Sequence, residues 1–411
     1  MMTQKKLLEL GAHYVSDFLE AGASSEGRNR YSLDLYLDES IGAVRLGEVA
    51  PPESMWGQYW YRSGTNNTMR RELQGIVDEV QSRIELKRGD HWLDIACNDG
   101  TLLSFVPEGI HRVGIDPCDD SYVVESSKHG TIVQDYFSKE AWRKAAGDAR
   151  AKVITCIAMF YDLDNPHSFI DDLVDVLDKD GVLVLQMSYT PLMVQQMAFD
   201  NICHEHVYYH SLASIEELFD QHNMRIVDAT LNDTNGGSIR IYLMHNDSNP
   251  RAFATEQMRH VCGYRTDALL LMENIHCDIR NPSVWREFGR DLEKLRDRTV
   301  KFIRDARAQG KTVWGYGAST KGNTLLQYFG LTNEDIVAIA ERSPYKWGKK
   351  TVGTEIPIVS EDEFRKAQPD YVLVLPWHFI DEFVKREADY LARGGSFIVP
   401  CPEFEVIAAP S

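Results

Sequence analysis

Trp92-Leu93-Asp94-Ile95-Ala96-Cys97-Asn98-Asp99-Gly100 is an apolar run that stops in a turn of small and acidic residues. Thr101-Leu-Leu-Ser-Phe105 after it is compatible with a helix, and Arg112-Val113-Gly114-Ile115-Asp116-Pro117 reads as a second buried strand ending in an aspartate. Strand, glycine-containing turn, helix and acid-tipped strand make up half of a doubly wound sheet. In that unit the ligand lies across the carboxyl ends of the strands, and the acid at the second tip can take ribose hydroxyls. The turn has one glycine where the dinucleotide fingerprint has three, and Asp94 and Asp99 stand where a pyrophosphate would sit. That argues against NAD. An acidic turn suits a cationic nucleoside without phosphate.

With 411 residues the chain is expected to divide into two or three domains. A formal net charge of −18 disfavours nucleic acid and anionic membranes as partners. The seven cysteines are scattered, odd in number and without a Cys-x-x-Cys pair, as expected of reduced thiols in a cytoplasmic protein. No apolar run approaches the ~18 residues that cross a bilayer, so no membrane partner is expected.

Residues 1–55 contain short alternating stretches, Tyr31-Ser-Leu-Asp-Leu-Tyr-Leu37 and Gly42-Ala-Val-Arg-Leu46, and read as a small β-rich module closed by Pro51-Pro52. Met69 to Lys87 has helical spacing and leads into the Asp94 strand. From there a strand over 153–158, a helix over 167–177, a turn at Asp180-Gly181 and a strand from Val182 predict a parallel sheet covered by helices. Strands over 225–228 and 238–244, flanking Asn235-Gly236-Gly237, finish it with an antiparallel edge. The first α/β domain is thus expected over 56–248, and a charged helical connector over 249–300. A second, Rossmann-like domain should fill 301–411, beginning with Thr312-Val-Trp-Gly315-Tyr-Gly317-Ala-Ser319-Thr320-Lys321. This second turn carries no acid; hydroxyls and a lysine stand at a helix start, which favours a phosphate. One sheet is expected to take a cation and the other an anion.

Asp200-Asn201-Ile202-Cys203-His204-Glu205-His206-Val207-Tyr208-Tyr209-His210 follows the strand ending near Gln186, on the active-site side of such a fold. A metal site, a core role for the histidines, and general acid/base chemistry are three readings of it. Acid/base chemistry leads: histidine titrates near neutrality, and Glu205 is placed to fix its tautomer. Metal is disfavoured, since ligands at i and i+2 converge poorly on a helix. The aromatic cluster Trp56-Gly-Gln-Tyr59-Trp60-Tyr61-Arg62-Ser63 either packs the module onto the sheet or offers Tyr59, Tyr61, Arg62 and Ser63 to the pocket.

The acid followed by small residues at 94–100 resembles the first motif of class I methyltransferases, which bind S-adenosylmethionine. From about Tyr59 to Val399 the chain resembles the sugar C-methyltransferases that act on nucleotide-linked deoxy-4-ketohexoses. The resemblance rests on Tyr59-Trp-Tyr-Arg-Ser-Gly with Met69-Arg70, Cys97-Asn98-Asp99-Gly100, Cys203-His-Glu-His206, Asn235-Gly-Gly-Ser238, Gly315-Tyr-Gly-Ala-Ser-Thr-Lys321 and Pro376-Trp-His378. The family carries four zinc-binding cysteines at its N-terminus; this chain has none before Cys97, and Leu37-Asp-Glu-Ser-Ile-Gly42 stands where a pair belongs. No metal is expected, and the module should hold by packing alone. Tyr161-Asp162 departs from a histidine that relatives carry.

The resemblance implies S-adenosylmethionine over Asp94, Ala96, Asn98, Asp99 and Gly100, with Asp116 on the ribose, Asp135 near the adenine, and Ala158 and Met159 along the fourth strand's tip. A nucleotide-linked keto-sugar would place its diphosphate near Ser319, Thr320 and Lys321, with Asn235, Gly315, Gly317 and His378 also at its site. His206 is the expected base, oriented by Glu205; Tyr59 or Tyr61, with His204 or Tyr209, would hydrogen-bond the enolate oxygen. Methylation at oxygen or nitrogen of a related sugar, and a non-catalytic nucleotide-sugar or S-adenosylmethionine sensor, are the alternatives. The chain is expected to act as a monomer or homodimer.

Overall fold

The computed structural model describes residues 5–51, 54–55, 62–65 and 67–409. The helix Asn67–Arg83 buries Leu73, Ile76, Val77 and Val80, a spacing of three and four that keeps one face on the sheet. It feeds a seven-stranded sheet whose spatial order is Met224–Asn232, Ser238–His245, Leu177–Ser188, Ala151–Ile157, His91–Ile95, His111–Ile115, Thr131–Val133. Only Ser238–His245 runs against its neighbours. Helices on both faces bury its central strands completely, so these read as continuous apolar runs rather than alternating ones. This is the class I methyltransferase fold. The turn expected at Asp180-Gly181 lies within the strand Leu177–Ser188. It is an irregularity in register between Ala151↔Leu177 and Val153↔Val182, tight because a Cβ on Gly181 would lie 3.0 Å from the Ala151 carbonyl oxygen.

Two long helices, Glu256–His276 and Pro282–Ala308, lead to the second sheet, the latter running past the expected boundary at 300. That sheet is six-stranded, in the order Ile358–Ser360, Ile339–Glu341, Val313–Tyr316, Tyr371–Val374, Ser396–Val399, Glu405–Ala408. The last strand is antiparallel and the others parallel.

The N-terminal strands are not held by packing alone. Lys5–Leu8, Leu35–Asp38 and Ala43–Leu46 form one sheet with Tyr208–Tyr209, the end of the His-Glu-His segment. Phe18–Glu20 pairs with Lys349–Thr351 of the second domain. One apolar core runs from Leu33, Leu35 and Leu46 through Phe199 and Trp285 to the second sheet. Within Leu37–Gly42, where the resemblance led to the expectation of a cysteine pair, the Asp38 carboxylate accepts from the Ser40 amide at 3.0 Å and from the Tyr208 hydroxyl at 3.0 Å. Among the described residues no group of histidines, cysteines and carboxylates is arranged to hold a metal ion, and no helix is long and apolar enough to cross a membrane.

Candidate active site

The turn after His91–Ile95 takes its shape from three left-handed residues in alternation: Ala96 at φ 56°, Asn98 at 53° and Gly100 at 75°. Only glycine adopts such angles without strain. Two side chains therefore sit where glycines would be comfortable, and the surroundings fix them. The Asn98 amide donates to Asp116 (2.7 Å), and the Asn98 side-chain oxygen accepts from the Ser63 amide (3.1 Å). Asp116 also accepts from the Cys118 amide at 2.8 Å. Gly100 permits a close approach, since a Cβ there would lie 2.7 Å from Ser126 Cα.

The turn gathers negative charge. Asp94 is buried and accepts from the Thr155 hydroxyl at 2.6 Å. Burial pushes its carboxyl up to about 7, the Thr155 hydrogen bond opposes this, and Asp116 adds to it. Such a set of carboxylates fits a sulfonium nucleoside and repels a pyrophosphate. Arg62 and Ser63, expected at the acceptor, belong to this turn instead. Arg62 lies 3.9 Å over the Tyr122 ring and bonds to Ser121, and the next amide, of Gly64, donates to Asp99 at 2.8 Å. Asp135, expected near the adenine, is paired with Lys144 at 2.8 Å. Ala158, also left-handed at 55°, donates to Gln186 and begins the turn Met159–Asp162.

That short turn reaches the histidine segment. The ring of Tyr161 lies 4.2 Å from that of His206. His206 is 8% exposed, and its Nδ1 lies 2.8 Å from the Asn201 main-chain oxygen. A carbonyl only accepts, so Nδ1 carries the hydrogen and Nε2 the lone pair. Burial first and Lys321 second hold this imidazole down to about 3, so the ring is neutral. Glu205, expected to orient it, does not: its side chain bonds to Cys203, and burial raises its carboxyl. Cys203–His206 is a tight turn, closed by the His206 amide donating to the Cys203 oxygen at 3.2 Å, and the main chain five residues back does the orienting. His204 turns the other way, its Nε2 3.0 Å from the Tyr31 oxygen of the N-terminal segment, and so packs that segment rather than facing the cleft. The Tyr209 hydroxyl is buried beside Cys203, Asp162 and Glu205.

Lys321 has the largest discrepancy between sequence and structure. Its ammonium does not await a phosphate: it donates to the Asn201 side chain and acts on Asp162, Asp200, Glu205, His206 and His378. Burial and Lys321 hold His378 down to about 3. Other polar groups of the Gly315–Lys321 turn are also satisfied internally. Ser319 caps its helix by accepting from Gly322, Ala318 oxygen accepts from Lys346 (2.7 Å), and Thr320 oxygen accepts from Ser16 (2.9 Å). A Cβ on Gly317 would meet Pro376 at 2.6 Å, and one on Gly315 would meet Ile339 at 2.9 Å, so both glycines serve packing. Lys321, expected at the diphosphate, is thus engaged by groups of the protein itself.

Asp162, Asp200 and Asn201 complete the cluster and were not assigned from sequence. Asp200 accepts from the Trp377 indole at 3.3 Å, a contact between the two sheets' loops that periodicity does not show. Tyr59 and Tyr61, with Trp56 and Trp60, lie outside the described residues, as does the Asn235 side chain.

Comparison with known proteins fits this geometry. Residues 66–229 match the methyltransferase domain family, and residues 233–402 match the C-methyltransferase C-terminal domain family. The C-methyltransferase NovU of Streptomyces niveus is 30% identical over 404 residues, covering 98% of this chain and 93% of its own. The chain belongs to the C-methyltransferase family. Among solved structures, the plantazolicin methyltransferase BpumL in complex with SAH is 13% identical, with a TM-score of 0.33, covering 42% of this chain and 82% of its own. The N-methyltransferase NodS from Bradyrhizobium japonicum WM9 is also 13% identical, with a TM-score of 0.33, covering 44% and 99%. This C-methyltransferase is an enzyme that uses S-adenosylmethionine, and the acidic turn at Asp94–Gly100 has the chemistry to receive it.

Proposed function

We propose that this enzyme methylates a carbon beside the ketone of a nucleotide-linked deoxyhexose, by way of an enolate. The observation that carries this reading is His206, a buried neutral imidazole with Nδ1 committed to Asn201 and Nε2 left as a proton acceptor. Methyl transfer to carbon needs an electron pair that a C–H bond does not offer until a base removes the proton. A ketone next to that carbon makes the removal feasible.

Bound over the Asp94–Gly100 turn, with Asp116 for its ribose, S-adenosylmethionine supplies an electrophilic methyl group to the activated carbon. The remaining work falls to side chains. His206 takes the proton, and because burial disfavours a lone imidazolium, the proton is stable only beside the enolate charge it creates. Proton transfer is thereby tied to an occupied site. Tyr209, which burial keeps protonated, is the described candidate to donate to the enolate oxygen; Tyr59 or Tyr61 would share that role. The rest of the acceptor would extend past His378 and Gly236-Gly237 along a groove of about 1100 Å³ that is also lined by Phe288 and Phe404. Much of the acceleration comes from holding the two substrates in register.

The test is incubation with a panel of nucleoside diphosphate-linked 4-keto-6-deoxyhexoses, read by mass with S-adenosylmethionine and by solvent deuterium uptake without it. Exchange at the carbon that later gains the methyl group supports enolate formation. Methylation without exchange points to oxygen or nitrogen instead.

A further inference from the structure

We propose that Lys321, supplied by the C-terminal domain, positions the His206 base through Asn201. This rests on His206 being the base, as argued above. Asn201 is bound from both ends. Its side-chain oxygen accepts from the Lys321 ammonium and its main-chain oxygen accepts from His206 Nδ1 at 2.8 Å. Its side-chain amide donates to the Ala198 oxygen at 3.1 Å, and Ser188 lies 3.4 Å from the oxygen that Lys321 holds. Moving Lys321 therefore moves the carbonyl that fixes the imidazole's tautomer. The residue lies at the first turn of the helix Thr320–Phe329, which packs on Phe199–Asn201. The second sheet thus builds part of the first sheet's active site, which gives a physical reason for the chain to keep both.

The groups facing this ammonium come from several elements. Asp162 follows the fourth strand; Asp200, Cys203, Glu205 and His206 belong to the histidine segment; His378 follows the strand Tyr371–Val374. Asp162, Glu205, Lys321 and His378 are each half-buried, while Asp200 and Asn201 lie beneath them at 1% and 4% exposure. Asp162 Oδ1 is buried without a hydrogen-bond partner, and burial, with Glu205 adding to it, raises that carboxyl well above the carboxylate range. Lys321 opposes that rise, so one cation stabilises the acidic side of the cluster while disfavouring a proton on His206.

The test uses the full-length enzyme with ¹⁵N-labelled histidine, and His206→Gln identifies the ring signals. In the wild type the His206 ring should show one tautomer, Nδ1–H, and no titration from pH 8 to 5. In Lys321→Met the Nε2–H tautomer should appear beside Nδ1–H, while burial, the larger cause, still keeps the ring neutral across that range. Unchanged S-adenosylmethionine affinity shows that the variant is folded. A folded Lys321→Met with the wild-type tautomer overturns the proposal, and Asn201→Ala should reproduce the Lys321→Met spectrum if the connection runs through its side chain. Normal turnover by His206→Ala would instead remove the base, whatever the ring spectra show.

Discussion

Nδ1 of His206 lies 2.8 Å from the main-chain oxygen of Asn201, which leaves Nε2 as the only basic nitrogen of that ring. The main chain thus sets the tautomer, and burial sets the charge. A neutral base is present at any working pH, and its side-chain environment contributes the selectivity for when it is used.

Replacing His206 with alanine should lower turnover of a methylated acceptor by about 10²–10⁴-fold, the usual contribution of a placed base. S-Adenosylmethionine affinity should stay within a few-fold of wild type, because the donor turn makes none of its hydrogen bonds to this ring. Steady-state rates with calorimetric binding of the donor measure both, and near-normal turnover would falsify the assignment.

Asp94 sits at about 7 because of burial, so at neutral pH it is divided between acid and carboxylate. A cationic donor favours the ionised form. Donor affinity should therefore rise from pH 6 to 8, with a loss of up to about tenfold per pH unit below 7. Asp94→Asn should bind more weakly and lose the dependence. Titration calorimetry across that range decides it; equal slopes for both proteins would show that another group titrates.

Ala96 holds φ at 56° without the freedom of glycine. Ala96→Val puts a β-branched side chain at that angle, a strain of about 1–3 kcal/mol, and should lower both thermal stability and donor affinity. Ala96→Gly should leave affinity unchanged or better. Melting curves with and without donor compare the three, and a valine variant matching wild type would mean the turn is softer than its angles imply.

His210 is 2% exposed, stacked on Tyr208, with Nε2 unpartnered, and burial holds it down to about 3. Its folded value lies below the unfolded 6.5, so the unfolded chain takes the proton first. The stability this group contributes is full above about pH 6.5 and is lost as pH falls toward 3, at up to about 1.4 kcal/mol per unit. His210→Phe lacks that loss. Relative to wild type it should gain stability between pH 6.5 and 5, read as the difference in urea midpoints; a gap independent of pH would contradict the buried neutral state.

The sequence by itself determined the first sheet and the acidic turn that marks its candidate donor site. Asp94–Gly100 and Asp116 are close in the chain, and the strand–turn–helix–strand pattern that joins them is local chemistry of period and turn residues. The His-Glu-His segment stood out as a candidate site for the same reason, being eleven consecutive residues of the chain. Which of those side chains share a cleft was not legible. The tight turn at Cys203–His206 sends its side chains to different sides, so Glu205 and His204 left the partner that adjacency suggested. Lys321 read as a phosphate ligand because a hydroxyl-rich helix start looks the same whether its groups face solvent or a neighbouring domain. Only the docking of the second sheet, 120 residues further on than Asn201, brought that lysine to the segment that holds His206. Contacts of that separation depend on how two complete cores meet, and no short stretch of the chain encodes them.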